Sequence, residues 1–262
     1  MADNAESFAA EVAAALGRLL RVPVEFITDR PWPERERALQ AGEVQVGWLC
    51  GLPYVQEAVR GQPRYELLAA PVMQGERYGG RPVYFSDLIV RRDHPARSLA
   101  DLLGATVAIN EPNSHSGHGV LRHALAAARL PHGFFGEVVE SGAHQRSLAL
   151  IESGAIDAAA IDSTVLDTEL RYEPGRARAL RSIATFGPSP IPPWVASTRL
   201  PAATRAALRE ALLTLQCDAQ ARSAFRRAHV LGFAPVDDAW YTPIREMARV
   251  AAGYPLQAAR TA

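Results

Sequence analysis

Asn110-Glu111-Pro112-Asn113-Ser114-His115-Ser116-Gly117-His118-Gly119 lies between an apolar, strand-like run, Ala105 to Ile109, and an apolar, helix-like run, Val120 to Leu130. A strand that feeds a Ser/Gly-rich turn and then a helix is a natural cradle for an anion. The first turn of a helix has unpaired backbone N–H groups, and the macrodipole favours negative charge there. Ser114 and Ser116 add hydroxyl donors, and Gly117 and Gly119 let an oxyanion approach the backbone. The plainer reading of the same residues is that Ser114 or Ser116 is an N-cap and nothing more. The turn alone does not choose between the two.

Working outward from this turn, strands and helices alternate. Upstream, residues 5–20 place Phe8, Val12, Leu16, Leu19 and Leu20 at helical spacing. Val22 to Ile27 reads as a strand, Trp32 to Ala41 as a charged helix stopped by Gly42, and Val44 to Leu49 as a second strand. Leu67 to Val72 and Val83 to Val90 follow as strands, then Ser98 to Leu103 as a short helix with Asp101 completing a capping box. Downstream, Phe135 to Val139 reads as a strand and Gln145 to Ser153 as a helix closed by Gly154. Ala158 to Ile161 is a buried strand that ends at Asp162, and Leu180 to Phe186 is another. Pro188, Pro190, Pro192 and Pro193 hold the next segment extended or turned. Pro201 opens a helix bearing Leu208, Leu212 and Leu215, and the tail is helical from about Asp237. This alternation predicts an α/β architecture with parallel sheets.

The totals narrow the function. The chain of 262 residues suits one large domain or two small ones. It carries 28 basic and 28 acidic residues, so its formal charge is zero, and every basic residue is Arg. Without lysine there is no Schiff-base or P-loop chemistry, and without a basic excess a nucleic-acid partner is not expected. Cys50 and Cys217 are the only cysteines; both sit in apolar stretches and read as buried free thiols. No Cys/His spacing fits a metal, and no cofactor is expected. No apolar run reaches the ~20 residues of a membrane span. Asp3, Glu6 and Glu11 are unlike the start of a secretory signal.

Several motifs, taken in order, resemble the phosphate/phosphite/phosphonate-binding proteins of ABC transporters, the PhnD-like group. They are Gly47-Trp48-Leu49-Cys50-Gly51-Leu52-Pro53-Tyr54-Val55, Tyr84-Phe85-Ser86-Asp87, Asn110-Glu111-Pro112 through Ser116-Gly117, and Ser141-Gly142-Ala143-His144. Asp157 through Asp162 and Gly187-Pro188-Ser189-Pro190-Ile191-Pro192-Pro193 complete the series, and the resemblance runs from about residue 4 to Arg245. It implies a type II periplasmic-binding-protein fold: two α/β lobes, two crossover strands and a ligand in the cleft. The expected lobes are residues 1–84 with 187–262, and an inserted lobe of residues 85–186. The resemblance puts Ser114, His115 and Ser116 on the anion, with the His115 backbone N–H the better contact. It adds Tyr54 from the first lobe, Tyr84 from the first crossover and His144 before the next helix. Asp162, at a strand end, would meet a ligand amine or hydroxyl. Phenols, hydroxyls and imidazoles can all donate to phosphoryl oxygens.

Two departures from the family pattern are expected. Lobe 1 is expected to lack its first β-strand and the chain its secretory signal, which makes the chain periplasmic by resemblance but cytoplasmic if its start is genuine. The implied function is capture of a small phosphorus oxyanion for an ABC-transporter permease and ATPase, by a monomer, with no catalytic residue. The alternatives are a cytoplasmic ligand sensor or an enzyme on the same fold. In an enzyme, Ser116 or Ser114 would be nucleophile, His144 base and Asp162 orienter. The residue order and the lack of a G-x-S-x-G elbow count against that.

Overall fold

The computed structural model describes residues 5–28, 32–58 and 63–257, which fall into two compact units. The first unit holds the described residues up to Val83 together with Pro190–Thr242. The second holds Tyr84–Ser189 and the described residues from Pro243 onward.

In the first unit, helix α1 (Glu6–Leu20) turns Phe8, Val12 and Leu16 inward, and Arg21 ends it in the left-handed conformation at φ 55°. Phe8 meets Phe225 edge-on at 5.4 Å, and Phe225 and Trp194 each meet Phe233 edge-on, so one aromatic cluster anchors this core. Helix α2 (Trp32–Ala41) precedes β1 (Val46–Trp48) and α3 (Gly51–Ala58), whose Pro53 sits in the first turn, where a missing N–H costs nothing. The sheet has the order β1-β8-β2-β9, with β2 at Tyr65–Met73, β8 at Trp194–Ser197 and β9 at Val230–Ala234.

In the second unit the order is β5-β4-β6-β3-β7. These strands are β3 (Val83–Arg91), β4 (Thr106–Ile109), β5 (Glu137–Glu140), β6 (Ala158–Asp162) and β7 (Leu180–Pro190). Their side chains alternate between two cores. Leu88, Val90, Val107, Ile109, Ala158 and Ala160 join Leu121 and Leu125 of α4 (Val120–Ala127) and the pair Phe134 and Phe135. Ile89, Ala108, Ala159 and Ile161 join Leu148 and Ile151 of α5 (His144–Ser153) and Leu166 of α6 (Ser163–Tyr172). A sheet covered on both faces explains why its strands read as nearly continuous apolar runs.

Four expectations are corrected. Val22 to Ile27 forms no strand: among the described residues it has no ladder partner, and Val22 and Val24 stand 48% and 44% exposed. Among the described strand pairings, β4 runs parallel to β5 and β6, β3 runs antiparallel to β6, and every strand pair described in the first unit is antiparallel. The cysteines are unbridged but not buried, Cys217 being exposed and Cys50 half-buried. Finally, the tail from Pro243, assigned to the first lobe from sequence, groups with the second unit. The Arg122 guanidinium donates to the carbonyls of Tyr254 and Ala251, the Phe135 N–H donates to Leu256 O, and Leu256 is buried in the α4 core.

Helices α3, α6 and α7 (Pro174–Ala179), strands β8 and β9 and helix α9 (Arg222–Arg227) are additions to the sequence reading. The helix opened by Pro201 is α8 (Ala202–Thr214), and the helical tail is α10 (Thr242–Val250). Among the described residues no helix is long and apolar enough to cross a membrane.

Candidate functional site

The Ser/Gly turn folds as a five-residue π-helical turn, His115–Gly119, that leads directly into α4. Such turns are uncommon and concentrate at functional sites. Ser114 caps it: its Oγ accepts from the Gly117 N–H at 3.1 Å. The capping reading is therefore correct for Ser114, and it leaves the Ser114 hydroxyl proton free to donate elsewhere. Ser114 Oγ lies 3.4 Å from Ser116 Oγ, and Ser116 Oγ lies 3.0 Å from His144 Nε2. All three side chains are buried. Two hydroxyls and an imidazole thus form one chain of polar contacts in the second unit.

His144 is placed by the loop before α5. The Ser141 and Gly142 N–H groups donate to Ile109 O at 2.8 Å and Asn110 O at 2.9 Å. The Ser141 hydroxyl is 2.7 Å from that of Ser147 and reaches the Ile109 and Ala143 carbonyls. Gly142, at φ 82°, makes the reversal that a residue with a Cβ would resist. This loop is pinned to the end of β4, the strand that delivers the Ser/Gly turn, so both halves of the cradle share one anchor. Gly117 makes their approach possible. A Cβ there would lie 2.0 Å from Asn110 Oδ1 and 3.2 Å from His144 Cε1.

The cradle is electrically neutral. Burial holds the His144 imidazole down to about 3 and the His115 imidazole down to about 4, so neither carries a proton charge near neutral pH. The His115 side chain turns to Ser189 near the end of β7, Nε2 to Oγ 3.1 Å, and its ring meets the edge of Tyr84 at 6.5 Å. Tyr84 opens the second unit on β3 and is fully buried. Nearby on β3, the Phe85 N–H donates to Ser163 Oγ at 3.0 Å, and Ser86 pairs in register with Asp162.

The sequence-predicted residues are distributed as follows. Ser114, Ser116 and His144 come together directly, and His115 and Tyr84 are joined to each other beside them. Asp162 caps α6, its Oδ1 accepting from the Thr164 N–H and hydroxyl, both at 2.8 Å. Burial pushes its carboxyl up to about 6. Tyr54 belongs to the first unit, where its hydroxyl donates to Asp238 Oδ1 at 2.8 Å and its ring packs on Tyr241 at 4.9 Å. Asn110, Ser189 and Asp238 are polar partners that sequence reasoning did not select. The first two stood inside quoted motifs, and their polarity within apolar surroundings was the available signal. No group of three or more His, Cys, Asp or Glu among the described residues could hold a metal ion.

Comparisons with known proteins bear on the fold and the family. No curated protein sequence matches the chain. Among solved structures, a binding-protein component of an ABC phosphonate transporter from Pseudomonas aeruginosa superposes with a TM-score of 0.83 at 19% identity, covering 96% of this chain and 83% of that one. A PhnD protein from Prochlorococcus marinus in complex with methylphosphonate gives 0.81 at 20% identity, covering 94% and 93%. A chloride-bound protein from Xanthomonas citri gives 0.74 at 21% identity, covering 96% and 95%. These likenesses establish the type II periplasmic-binding-protein fold. The sequence profile of the phosphonate periplasmic substrate-binding proteins of ABC transporters matches residues 2–241, and the chain belongs to that family.

Proposed function

We propose that this protein captures a small phosphorus oxyanion, phosphonate first among phosphate, phosphite and phosphonate, and delivers it to an ABC-transporter permease and ATPase. The observation that carries the reading is the buried chain Ser114 Oγ, Ser116 Oγ, His144 Nε2, with successive separations of 3.4 and 3.0 Å. Hydroxyls and an imidazole in a desolvated cradle donate to an oxyanion without fixing a cation beside it. Ser114 and Ser116 are the principal donors. His144 orients Ser116, and His115 and Tyr84 brace the turn from β7 and β3. Tyr54 and Asp162, ligand contacts by resemblance, belong to the same proposal.

Binding proceeds without covalent chemistry in this reading. A histidine held down at about 3 is a poor base for Ser116, and Asp162 is engaged as a helix cap rather than on His144. The family is periplasmic, and we place this chain there as a monomeric capture protein.

A thermal-shift panel with methylphosphonate, phosphate, phosphite, sulfate and a dicarboxylate tests the reading. A ligand at a hundred times its Kd adds about 2.7 kcal/mol to the folded state, which for a chain of this size is roughly 5–10 °C. A selective shift with a phosphorus oxyanion supports the proposal. A shift with the dicarboxylate alone would refute it.

A further inference from the structure

Beside its hydroxyls, the cradle holds two buried polar atoms that have no hydrogen-bond partner among the described residues: Asn110 Oδ1 and His144 Nδ1. Both residues border the same spot. Asn110 Oδ1 and His144 Cε1 lie 2.0 and 3.2 Å from the point where a Cβ on Gly117 would be. Asn110 Oδ1 is an acceptor in every state. The role of His144 Nδ1 follows from Ser116. For the Ser116 hydroxyl to turn toward an oxyanion, the imidazole must donate to Ser116 Oγ. Its single proton is then on Nε2, and Nδ1 presents a bare lone pair. Buried acceptors without donors are costly, and at a binding site they mark where a ligand group completes the network.

A fully ionised phosphonate has only acceptors to offer and would set oxygen against these lone pairs. A phosphonate that keeps one P–OH supplies the missing donor. We propose that the cradle takes its phosphonate as the singly protonated monoanion, with the one P–OH proton shared between Asn110 Oδ1 and His144 Nδ1 in a three-centre hydrogen bond. The remaining oxygens accept from the Ser114 and Ser116 hydroxyls. This inference rests on the oxyanion reading above. The neutrality of the cradle agrees with it, since a buried site without a cationic donor favours the lower charge.

Titratable groups of the protein also surround the cradle. Burial lowers His115, His118, His123 and His144 below the ordinary imidazole range, and Asp162 is raised only to about 6. Glu111, Glu140, Arg122 and Arg146 are the other charged neighbours. A slope in affinity that methylphosphonate shows and a permanently ionised monoanion of the same shape does not show belongs to the ligand.

Calorimetric titration of the full chain with methylphosphonate across this range is the test. Methanesulfonate, a monoanion of the same shape with no proton to give, runs beside it. The expected Kd for methylphosphonate rises about tenfold for each pH unit above the ligand's second ionisation, because only the protonated fraction binds. Methanesulfonate binds at least about tenfold more weakly at pH 7, as expected when a site's polar groups lose their partner. Asn110→Leu, with an unchanged melting temperature, narrows that gap. Methylphosphonate affinity that is flat or rises with pH, or methanesulfonate that binds equally well, would overturn this inference and leave the oxyanion reading intact. No methylphosphonate binding at any pH would overturn both.

Discussion

The second unit and the first each bury a hydroxyl that the family resemblance assigns to the ligand, but they commit the proton differently. In the second unit Ser116 faces a neutral imidazole across 3.0 Å. In the first, Tyr54 gives its proton to the Asp238 carboxylate across 2.8 Å. The imidazole can reverse its role and donate when Ser116 turns away, so Ser116 can change partner at little cost. Tyr54 cannot do so without removing a donor from a carboxylate, and hydrogen bonds to charged groups are the stronger kind. In the proposed reading the Ser/His cradle is therefore the adaptable half of the site, and Tyr54 would meet the ligand only at the cost of its contact with Asp238.

The largest expected effect comes from closing the space at Gly117. Gly117→Ala places a methyl within 2.0 Å of Asn110 Oδ1 and 3.2 Å of His144 Cε1, so both cradle walls must move. Overpacking of this kind costs about 1–3 kcal/mol of stability, and oxyanion affinity should fall more than in any single-hydroxyl variant. Urea melts and calorimetry on one preparation measure both. Wild-type affinity in Gly117→Ala would mean that the anion sits elsewhere.

Next is Ser116→Ala. Loss of one donor to a charged oxygen should weaken binding by about 1.5–3 kcal/mol, with the melting temperature of the ligand-free protein changed far less. An unchanged Kd would remove Ser116 from the site.

Acid should reveal the two buried histidines. Their folded values of about 4 and about 3 lie below the ordinary 6.5, so the unfolded chain binds more protons between those limits. Their contribution is intact above about pH 6.5 and is lost as pH falls through this window. Asp162 runs the other way: with its carboxyl raised from 3.8 to about 6, its penalty applies above that value and is relieved as pH falls. Two histidines outweigh one carboxyl, so the urea midpoint should drop between pH 7.5 and pH 5, and His144→Gln should flatten that drop. A midpoint that rises toward pH 5 would contradict the neutral cradle.

The smallest effect sharpens the other half of the comparison. Asp238→Asn keeps an acceptor for Tyr54 but removes its charge, which should cost about 0.5–1.5 kcal/mol. A cost near zero would show that the Tyr54 contact is not strengthened by the carboxylate.

Much of this was legible in the sequence where one residue type fixes one backbone feature. The Ser98/Asp101 capping pair, Gly154 ending α5 and the Ser/Gly turn before α4 all read correctly because each depends on near neighbours. Val22 to Ile27 failed because a strand needs a partner, and pattern cannot supply one. Strand direction in the first unit failed for the same reason: β8 and β9 reach β2 from far along the chain. At the site, the family motif contained the residues that the structure brings together, Ser114, Ser116 and His144. Asn110, though inside a quoted motif, and Asp238 were not singled out, because their importance lies in whom they face, Gly117 and Tyr54, and not in their own spacing.

The most direct test of the account is a crystal structure of the protein grown with methylphosphonate. The account predicts phosphonate oxygens within about 3 Å of Ser114 Oγ and Ser116 Oγ, with His144 Nε2 still on Ser116. Methylphosphonate bound away from both serines, with the Ser116–His144 contact untouched, would contradict it.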